Sequence, residues 1–582
     1  MMSHEGSSMP HERPGRLRHW WVRVGLAVGL MGLLLLAYGW HIFRLVRTLE
    51  GQLFEVKASY DARSWGEVMG GLAAMSSTER NLSPWLRGLR TFSHFPLIGS
   101  RVRPLIAIWP TLKSVSAAAC DWKQALRQNP RNPLKALSPG DMFAISRALQ
   151  SAASLPAFPQ GGTYSLINSL RMQARDLDTQ VGPLLSNRPL IEGLFSTGKR
   201  ERYLVIFQDS GELRSTGGFM AAYGFLTIHR GHMHLQFEPN ISRLDKEVSL
   251  QFPAPWSIQT YFHQRHLSLI NANFNPNVPQ TARLIECMYR STPKALPLNG
   301  VIFVDSWLVQ ATLQLIGPLS IHDQAFTAQN FYVKSEYLAE NRGLPNSTRM
   351  NFLQEILTAL QTRLRHMDPL RWRPLIVQAL SNKHLMVYAN NRSIQAILER
   401  QGWAGDILDR ARQNTLLVVN NNLGGLKDNY FMGSEVGLAL KKRESGWEEI
   451  VTTTWTFSGE RNGWLTGTYV GWVQCYLPVG TRLIALSGVH VHGVRTMEHS
   501  NIGQISFGTG ILMAPRRTGV SPPTKRTLTW DFMLPPLVHP RTLHMNIQPG
   551  LPGQSLTYFK AGQTRVRIRQ LKDNVIQLSR SN

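Results

Sequence analysis

The densest group of polar side chains lies between two apolar runs, where residues 208–218 read QDSGELRSTGG. Glu212 and Arg214 are two residues apart, so they share one face if the segment is extended. An Arg guanidinium can bind an anion with two hydrogen bonds, and adjacent glycines permit close backbone approach or a positive φ. The segment is therefore a candidate site for an anion or a glycan phosphate, with Gln208, Arg214, Gly217 and Gly218 as binding residues. An internal Glu212–Arg214 ion pair that locks a hairpin is the alternative.

A second candidate binding surface is a basic strand near the C-terminus. Arg565, Arg567 and Arg569 alternate with Val566 and Ile568, so a strand would carry three guanidinium groups on one face. Residues 511–582 hold 11 Lys and Arg against 2 Asp, a charge of 11 − 2 = +9. A ladder of like charges is destabilising unless an anion faces it. The pattern predicts either a contact for an anionic polymer or phospholipid, or a solvated edge strand that charge protects from pairing.

Histidines form a third group with metal-ligand chemistry. His229, His232 and His234 flank a predicted hairpin turn, and His490 and His492 share a predicted strand face. Imidazole suits zinc or copper, but no Cys or carboxylate is spaced to complete a site. We therefore predict exposed hairpin histidines and no metal site. The motifs GxSxG, GxxxxGK[ST] and HExxH are absent, so a hydrolase or nucleotide-binding site is unsupported.

Composition limits the class of protein that could hold these sites. The chain has 582 residues, a formal charge of +26 and 43% hydrophobic residues, so it can bury real cores and is not a disordered basic tail. Its length suggests several domains. Three widely spaced cysteines, Cys120, Cys287 and Cys475, exclude a disulfide framework and a CxxC metal ribbon. No RNA- or DNA-binding motif accompanies the charge, so a nucleic-acid partner is not predicted.

An apolar segment near the N-terminus predicts a membrane anchor. Val24–Phe43 contains twenty residues without Lys, Arg, Asp or Glu, about the length that crosses a ~30 Å hydrocarbon core. A cleaved signal peptide would have a shorter apolar region that ends in small residues, so we predict an uncleaved signal anchor. Basic residues flank both ends, but a short basic tail before a large domain favours an inside N-terminus. This places residues 1–23 in the cytoplasm and residues 44–582 outside the membrane.

Hydrophobic periodicity divides the remaining chain into three parts. Residues 44–193 show helical spacing and predict a helical stalk or bundle, whereas residues 194–412 alternate strands such as Tyr203–Phe207 and Gly300–Val304 with helices. Residues 413–582 show short strands with Gly and Pro between them. The predicted fold is therefore multidomain α+β, with a transmembrane helix and helical stalk, a central mixed α/β domain and a C-terminal all-β sandwich.

Several motifs follow one another in a fixed order along the chain. One is the strand Tyr203–Gln208 with Glu212-Leu213-Arg214 and Thr216-Gly217-Gly218-Phe219. The others are Phe95–Gly99, Asn271–Phe274 before Val278-Pro279, Gly300–Asp305 with Gly317-Pro318-Leu319, Gly402–Gly405, and Val418–Gly425 before Lys427. Together they resemble a bacterial membrane-anchored family that is catalogued as domain of unknown function 4012, in which Asn is usual at the position of Asp209. The resemblance spans roughly residues 44–553 and implies a single-pass envelope protein, but this family has no settled activity.

The layout is also similar to that of LytR-CpsA-Psr proteins, which are membrane-anchored phosphotransferases. That resemblance implies an Asp-bound Mg²⁺ and Arg residues on a lipid-linked pyrophosphate. It offers Asp209, Glu212, Arg214 and Asp305 as candidate catalytic residues. The Arg-Ser-Asp-Thr stretch typical of those enzymes is absent here, which argues against the transfer reaction.

The sequence therefore predicts an extracytoplasmic cell-envelope protein of an uncharacterised family, anchored in the bilayer through Val24–Phe43. We expect it to bind or scaffold an anionic envelope glycopolymer, phospholipid or partner proteins, with no cofactor and no reaction. The alternative is a phosphotransferase that attaches lipid-linked glycopolymer to the cell wall, with Mg²⁺ as its cofactor.

Overall fold

The computed structural model describes most of the chain after residue 43, over residues 44–45, 47–62, 65–85, 96–128, 138–158, 162–185, 200–229, 232–340, 346–365, 367, 369–407, 413–461, 465–488, 491–516, 522–551, 554–560, 563–570 and 574–577. The predicted span Val24–Phe43 and the tail before it lie outside these residues. Within the described ranges, no helix is both long and apolar enough to cross a bilayer. Contacts divide the chain into two units, Met1–Ile191 and Glu192–Asn582.

The described part of the first unit is helical. After a helical stretch at residues 47–61 come α1 (Trp65–Leu82), a 3₁₀ turn (Ser83–Trp85), α2 (Pro96–Gln128), α3 (Pro139–Ala153) and α4 (Gly162–Leu185). Consecutive labelled helices pack on each other. The helical spacing predicted from residue 44 is confirmed at its start, where Leu49, Leu53 and Val56 belong to one buried cluster with Met75, Trp109 and Leu112.

The start of α3 shows how the sequence sets a helix boundary. Ser138 is the N-cap and Pro139 follows at the first helical position. The Asp141 N–H donates to Ser138 Oγ at 3.2 Å, and the Ser138 N–H donates to Asp141 Oδ2 at 2.8 Å. This capping box satisfies two amide donors that have no partner within the helix.

The second unit begins with a five-stranded sheet of order β3-β2-β1-β6-β9. Its strands, with the short pairs β4–β5 and β7–β8, are β1 (Glu201–Asp209), β2 (Phe219–His229), β3 (His232–Glu238), β4 (Phe252–Pro253), β5 (His266–Leu267), β6 (Gly300–Asp305), β7 (Leu319–Ile321), β8 (Gln324–Phe326) and β9 (Leu385–Ala389). β1 and β6 are parallel, with Gln208 opposite Asp305. The other neighbours in this sheet are antiparallel.

Eight helices in the described residues accompany this sheet. They are α5 (Ser242–Asp245), α6 (Trp256–Phe262), α7 (Val278–Arg290), α8 (Ser306–Ile316), α9 (Phe331–Glu340), α10 (Asn346–Arg365), α11 (Pro369–Ser381) and α12 (Arg392–Arg400), with a 3₁₀ segment at Leu269–Phe274. The core joins apolar residues of β1 and β6 to α7, for example Ile206, Phe303 and Ile285. Asp305 ends β6 and caps α8, because its Oδ1 accepts the Trp307 N–H at 3.1 Å.

Two six-stranded sheets form the rest of the second unit. Their orders are β15-β16-β13-β10-β18-β21 and β14-β17-β12-β11-β19-β20. The strands are β10 (Gln413–Asn422), β11 (Met432–Arg443), β12 (Gly446–Phe457), β13 (Tyr469–Pro478), β14 (Arg482–Gly488), β15 (Val491–His499), β16 (Gln504–Met513), β17 (Thr524–Met533), β18 (His539–Met545), β19 (Gln554–Lys560), β20 (Gln563–Gln570) and β21 (Asn574–Gln577), with 3₁₀ segments at Asp428–Phe431 and Ser500–Ile502.

The two sheets share one apolar core, which makes this region a β-sandwich. Trp455, Phe457 and Trp530 from one sheet meet Val473 and Phe507 from the other. Side chains of alternate strand residues fill the space between the sheets, and their burial drives the packing. The chain is therefore a mixed α+β multidomain protein, which confirms the predicted class at that level.

The continuous apolar run in β10 has a specific cause. Leu416 and Val418 belong to the core between the two sheets. Leu417 and Val419 belong to a second cluster with Tyr476 on the opposite face. A strand that is buried on both faces needs apolar residues at successive positions, because successive side chains point to opposite faces.

A buried acid lies in the sandwich. Glu449 on β12 is fully buried, and its Oε2 accepts a hydrogen bond from Asn414 Nδ2 at 2.6 Å. Burial raises the pKa of Glu449 to about 7, and the Asn414 bond only partly opposes this rise. Because the folded state binds this proton more tightly than the unfolded chain, the stability that the proton provides is present below the ordinary glutamate pKa of 4.5 and is lost as pH rises to about 7.

The Glu449→Gln variant is expected to gain stability relative to the natural chain as pH rises from 5 to 8. Glutamine keeps the shape but carries no charge. The cost of burying a second amide donor is the same at both pH values and cancels, so a relative gain of about 2–3 kcal/mol is expected from the raised pKa of Glu449. Urea unfolding at the two pH values measures this difference. Glu498 is exposed, so Glu498→Gln is the control and should hardly alter the pH dependence of the free energy of unfolding. Equal pH dependence of the two variants would contradict the raised pKa of Glu449.

Candidate functional site

The polar segment predicted as a site forms the loop between β1 and β2. The loop closes on itself, because the Glu212 N–H donates to the Asp209 carbonyl at 3.2 Å and the Phe219 N–H donates to the Glu212 carbonyl at 2.8 Å. The pairing of β1 with β2 shifts register between Phe207 and Gln208, just before the loop. Such an irregularity re-aims the side chains that follow it. The loop then packs under the β-sandwich instead of facing solvent, as the following contacts show.

Arg214 is paired inside the protein. Its side chain is 1% exposed and donates from Nη2 to Glu212 Oε1 at 2.8 Å. Nη1 donates to the backbone carbonyl of Asn422 on β10. The guanidinium carbon also lies over two rings, 5.7 Å from Phe219 and 5.6 Å from Phe262. The geometry therefore favours the alternative in which Arg214 serves an internal ion pair, and it extends this pair to a contact with the sandwich.

Lys427 completes the ion cluster from the turn that follows β10. Its Nζ lies 2.9 Å from Asp209 Oδ2, 3.1 Å from Glu212 Oε2 and 3.8 Å from Glu336 Oε2 on α9. Burial lowers the pKa of the Lys427 ammonium, but the carboxylates of Asp209, Glu212 and Glu336 outweigh burial and leave this pKa raised. Three acidic groups therefore surround the ammonium.

Asp209 has a different partner on its second oxygen. Oδ1 accepts hydrogen bonds from Tyr332 Oη at 2.7 Å and from the Gly211 N–H at 2.9 Å. Burial and the neighbouring Asp209 carboxylate raise the pKa of Tyr332 well above its usual value, so the phenol keeps its proton and donates. Tyr332 stacks on the exposed Tyr430 with ring centroids 4.2 Å apart.

One neighbouring acid is sensitive to pH near neutrality. Asp428 follows Lys427, is fully buried, and accepts the Gly467 N–H at 2.9 Å through Oδ1. Burial raises the pKa of Asp428 to about 6, and the nearby Glu212 carboxylate contributes to this rise. The hydrogen bond from the Gly467 N–H acts in the opposite direction. Because this folded-state pKa is raised, the stability that protonated Asp428 provides is lost as pH rises toward 6.

Gln208 holds the end of the loop. Its Nε2 donates to the Thr216 carbonyl at 2.6 Å, and its Oε1 accepts the Thr216 hydroxyl at 2.8 Å. Asn273 then donates to Thr216 Oγ1 at 3.0 Å and to the Gly218 carbonyl at 2.8 Å. A two-point contact of this kind fixes the loop against β1, so Gln208 positions the loop from inside the protein.

The glycines of the loop approach other parts of the chain. A Cβ added to Gly218 would overlap the carbonyl group of Asp209. Gly217 has φ +127°, and a Cβ there would lie 2.8 Å from Gln208 Nε2. The backbone of Gly550 lies against Gly217, where an added Cβ on Gly550 would also overlap. Glycine is therefore required here for close packing of the protein on itself.

The sandwich also satisfies several polar groups of the loop. Gln548 Nε2 donates to the Arg214 carbonyl at 3.0 Å and to the Asn420 carbonyl at 2.7 Å. Ser215 Oγ donates to Asn421 Oδ1 at 3.0 Å, and the Asn422 N–H donates to the Leu213 carbonyl at 2.9 Å. A buried loop needs such partners, because an unpaired backbone group costs about as much as a lost hydrogen bond.

Asp305 is one strand away from the loop and has its own partner. Its Oδ2 lies 2.7 Å from His384 Nδ1, and the His384 ring stacks on Trp307 with centroids 4.2 Å apart. Burial raises the pKa of Asp305, while His384 and backbone donors oppose this rise. Ser210 Oγ lies 2.8 Å from Ser306 Oγ, so the two strand ends are also tied by hydroxyls.

The predicted acidic residues do not fit a magnesium site. Mg²⁺ takes carboxylate and water oxygens in octahedral geometry. Here the Lys427 ammonium is in contact with both Asp209 and Glu212, and Asp305 pairs with His384. No group of three or more His, Cys, Asp or Glu in the described part of the chain is arranged to hold a metal ion. We therefore derive no reaction step through a metal.

The basic strand and the histidines lie elsewhere. Arg565, Arg567 and Arg569 lie on β20, at one edge of its sheet, and their side chains lie outside the described residues. The register of β20 against β19 shifts by one residue at Arg565. This step interrupts the strict alternation that the sequence predicts for the three arginines. In the predicted hairpin, His229 is the register partner of His232, and His232 and His234 are exposed; His490 lies outside the described residues.

Sequence reasoning missed the partners of the predicted residues. Lys427, Tyr332, Glu336, Asn422, Gln548 and His384 are all absent from the predicted site. The polar run at residues 420–422, which ends an otherwise apolar strand, was the strongest available signal. Buried polar residues of this kind need partners, so their occurrence marks a contact with other polar groups.

The fold and site together define a class: an α/β sheet whose strand-end loop is closed by a β-sandwich through a buried ion cluster. Residues 198–337 match the family model described as "Protein of unknown function (DUF4012)". The match confirms the resemblance to that family over residues 198–337. The matched residues include the β1–β2 loop and Asp305, whereas Lys427 lies outside them, toward the C-terminus. Searches of curated proteins and of solved structures find no match.

Proposed function

We propose that this protein is a non-catalytic, single-pass membrane-anchored envelope protein that binds or scaffolds an anionic envelope glycopolymer or partner proteins. One observation carries the proposal: Asp209, Glu212 and Arg214, the polar residues of the family motif, are paired with groups of the protein itself. Residues that bind or transform a substrate need free hydrogen-bonding capacity in a pocket. Residues paired in this way instead join parts of a scaffold.

The anchor and the orientation follow from the sequence. The apolar length of Val24–Phe43 suits a bilayer span, and a short basic tail favours an inside N-terminus. Residues 44–582 would then lie outside the cytoplasmic membrane, where anionic glycopolymers and phospholipid headgroups are the available partners. No nucleic acid is proposed, because the chain has no motif for it.

The charge of the chain supports an anionic partner. The formal charge is +26, and residues 511–582 contribute 11 − 2 = +9 of it. The backbone places Arg565, Arg567 and Arg569 on an edge strand of the sandwich. Each basic residue near an anionic surface contributes about 1 kcal/mol at moderate ionic strength.

Replacing Arg565, Arg567 and Arg569 with serine is expected to weaken retention on isolated anionic wall polymer by on the order of 100-fold, since three contacts of about 1 kcal/mol are lost. The measurement is a salt-elution profile of the full chain in mild detergent. A parallel experiment with anionic phospholipid vesicles distinguishes polymer from headgroups as the ligand.

The control variant removes the same charge from exposed residues of the α/β sheet region. Lys246, Lys294 and Arg392 are exposed, and all three are changed to serine. The two triple variants carry equal net charge, so bulk attraction lowers their retention equally. Equal elution of the two would refute a specific role for the basic strand. Unchanged retention of both would refute the anionic ligand.

The contacts of the candidate catalytic residues do not support the alternative function as a phosphotransferase. It requires Asp209, Glu212 and Asp305 around Mg²⁺ and Arg214 on a pyrophosphate. Lys427 and His384 already pair with these acids, and Arg214 pairs with Glu212. The scaffold proposal uses the same contacts without any rearrangement.

A further inference from the structure

The contacts of Lys427 place an amine against two buried carboxyl groups. Nζ lies 2.9 Å from Asp209 Oδ2 and 3.1 Å from Glu212 Oε2, and it lies 5.8 Å from the centre of the Phe219 ring. The amine is therefore held against the carboxyl group, and groups held together in a fixed orientation react as if at very high concentration. The pair also joins two parts of the fold, because Asp209 ends β1 and Lys427 follows β10 in the sandwich.

The two oxygens of Asp209 have different surroundings. Oδ1 accepts hydrogen bonds from Tyr332 Oη at 2.7 Å and from the Gly211 N–H at 2.9 Å. Two fixed donors on one carbonyl oxygen stabilise the negative charge that develops there when a nucleophile adds to the carbon. Oδ2 faces the amine, so it is the oxygen placed to leave.

Glu212 is placed to move protons between these groups. Its Oε2 accepts a hydrogen bond from Lys427 Nζ at 3.1 Å. Its Oε1 accepts a hydrogen bond from Arg214 Nη2 at 2.8 Å. Glu212 can therefore act as a general base toward the lysine while Asp209 receives the proton.

We propose that Lys427 and Asp209 form an intramolecular amide bond between Nζ and Cγ. Glu212 takes a proton from the ammonium and delivers it to Asp209 Oδ2. The neutral amine then adds to Cγ, and Oδ1 carries the negative charge. Glu212 next moves a second proton from nitrogen to Oδ2, which leaves as water while the carbonyl forms again at Oδ1. One ammonium and one carboxylate give one amide and one water, and Glu212 is regenerated.

The surroundings favour the amide over the ion pair. A buried ion carries a desolvation cost, and the product removes two ions at once. The Arg214–Glu212 pair remains matched after the reaction. The bond would fasten the α/β sheet to the sandwich, and it does not depend on which ligand the protein binds.

Mass spectrometry of the full chain tests the bond directly. The expected mass is lower than the sequence mass by one water molecule. Trypsin does not cleave after an acylated lysine, so Tyr203–Arg214 should be recovered joined to Gln413–Lys441. A mass equal to that of the sequence, with Tyr203–Arg214 and Gln413–Lys427 as separate peptides, would overturn the proposal.

Three variants assign the roles of the residues. Lys427→Arg keeps the charge and should lack the bond. Glu212→Gln removes the base and should leave the mass unshifted, with folding checked by tryptophan fluorescence. Asp209→Asn can release ammonia in place of water, so its product should be identical in mass to that of the natural chain. A folded Glu212→Gln chain that cross-links fully would overturn the role of Glu212, and a cross-link in Lys427→Arg would overturn that of Lys427.

Discussion

Replacing Arg214 with methionine is expected to lower the free energy of unfolding by about 3–5 kcal/mol. The side chain is 1% exposed, and its guanidinium donates to Glu212 and to the Asn422 carbonyl. Methionine retains much of the apolar contact but leaves a buried carboxylate with one cation fewer. The cost of this uncompensated charge exceeds the loss of the hydrogen bonds themselves. Urea unfolding of the full chain in detergent, followed by tryptophan fluorescence, measures the change.

A matched control separates burial from charge loss. Arg243 pairs with Glu238 at 3.8 Å, but its side chain is 67% exposed. Exposed ion pairs contribute at most about 1 kcal/mol, so Arg243→Met should have a small effect. The buried Trp455 and Trp530 report on the sandwich, which Arg214 contacts through Asn422. Equal losses for the two variants would contradict the structural role of the buried pair.

Replacing Gly218 with alanine is expected to lower the free energy of unfolding by about 2–3 kcal/mol. The added methyl group would overlap the Asp209 carbonyl, which is a backbone group and cannot rotate away. The shift would also disturb the Asp209 contacts with Lys427 and Tyr332. The same urea experiment measures the effect.

The control for Gly218 is a glycine with space around it. A Cβ added to Gly433 on β11 meets no atom within 4 Å. Gly433→Ala should therefore be neutral or slightly stabilising, because it restricts the unfolded chain. If Gly218→Ala is as stable as Gly433→Ala, the close approach does not limit the loop.

The sequence predicted elements well where one local pattern determines them. The apolar runs Tyr203–Phe207 and Gly300–Val304 lie within β1 and β6, and the alternation near Arg567 lies within β20. Each strand needs only a period of two or a buried run, which short windows reveal. The class of fold followed from the same patterns.

The partners within the site could not be predicted in this way. Gln208 lies opposite Asp305 because two strands are parallel neighbours, and no local pattern specifies that register. Lys427 contacts Glu212 across 215 positions of sequence. A motif can show that Glu212 and Arg214 are polar and adjacent, but burial decides whether they face a ligand or each other. The register shift at Arg565 likewise depends on the neighbouring strand.

The order of synthesis delays the contact between Gln548 and the loop. Gln548 donates to the Arg214 carbonyl across 334 positions of sequence. Ribosomes add about 5–20 residues per second, so about 20–70 s separate the appearance of the two groups. During that interval, the Arg214 carbonyl lacks the Gln548 donor, although the Gly217 N–H of the same loop can donate to it. β1 is the first strand of the α/β sheet to be synthesised. The loop that follows it therefore gains all its contacts only after nearly the whole chain has been made.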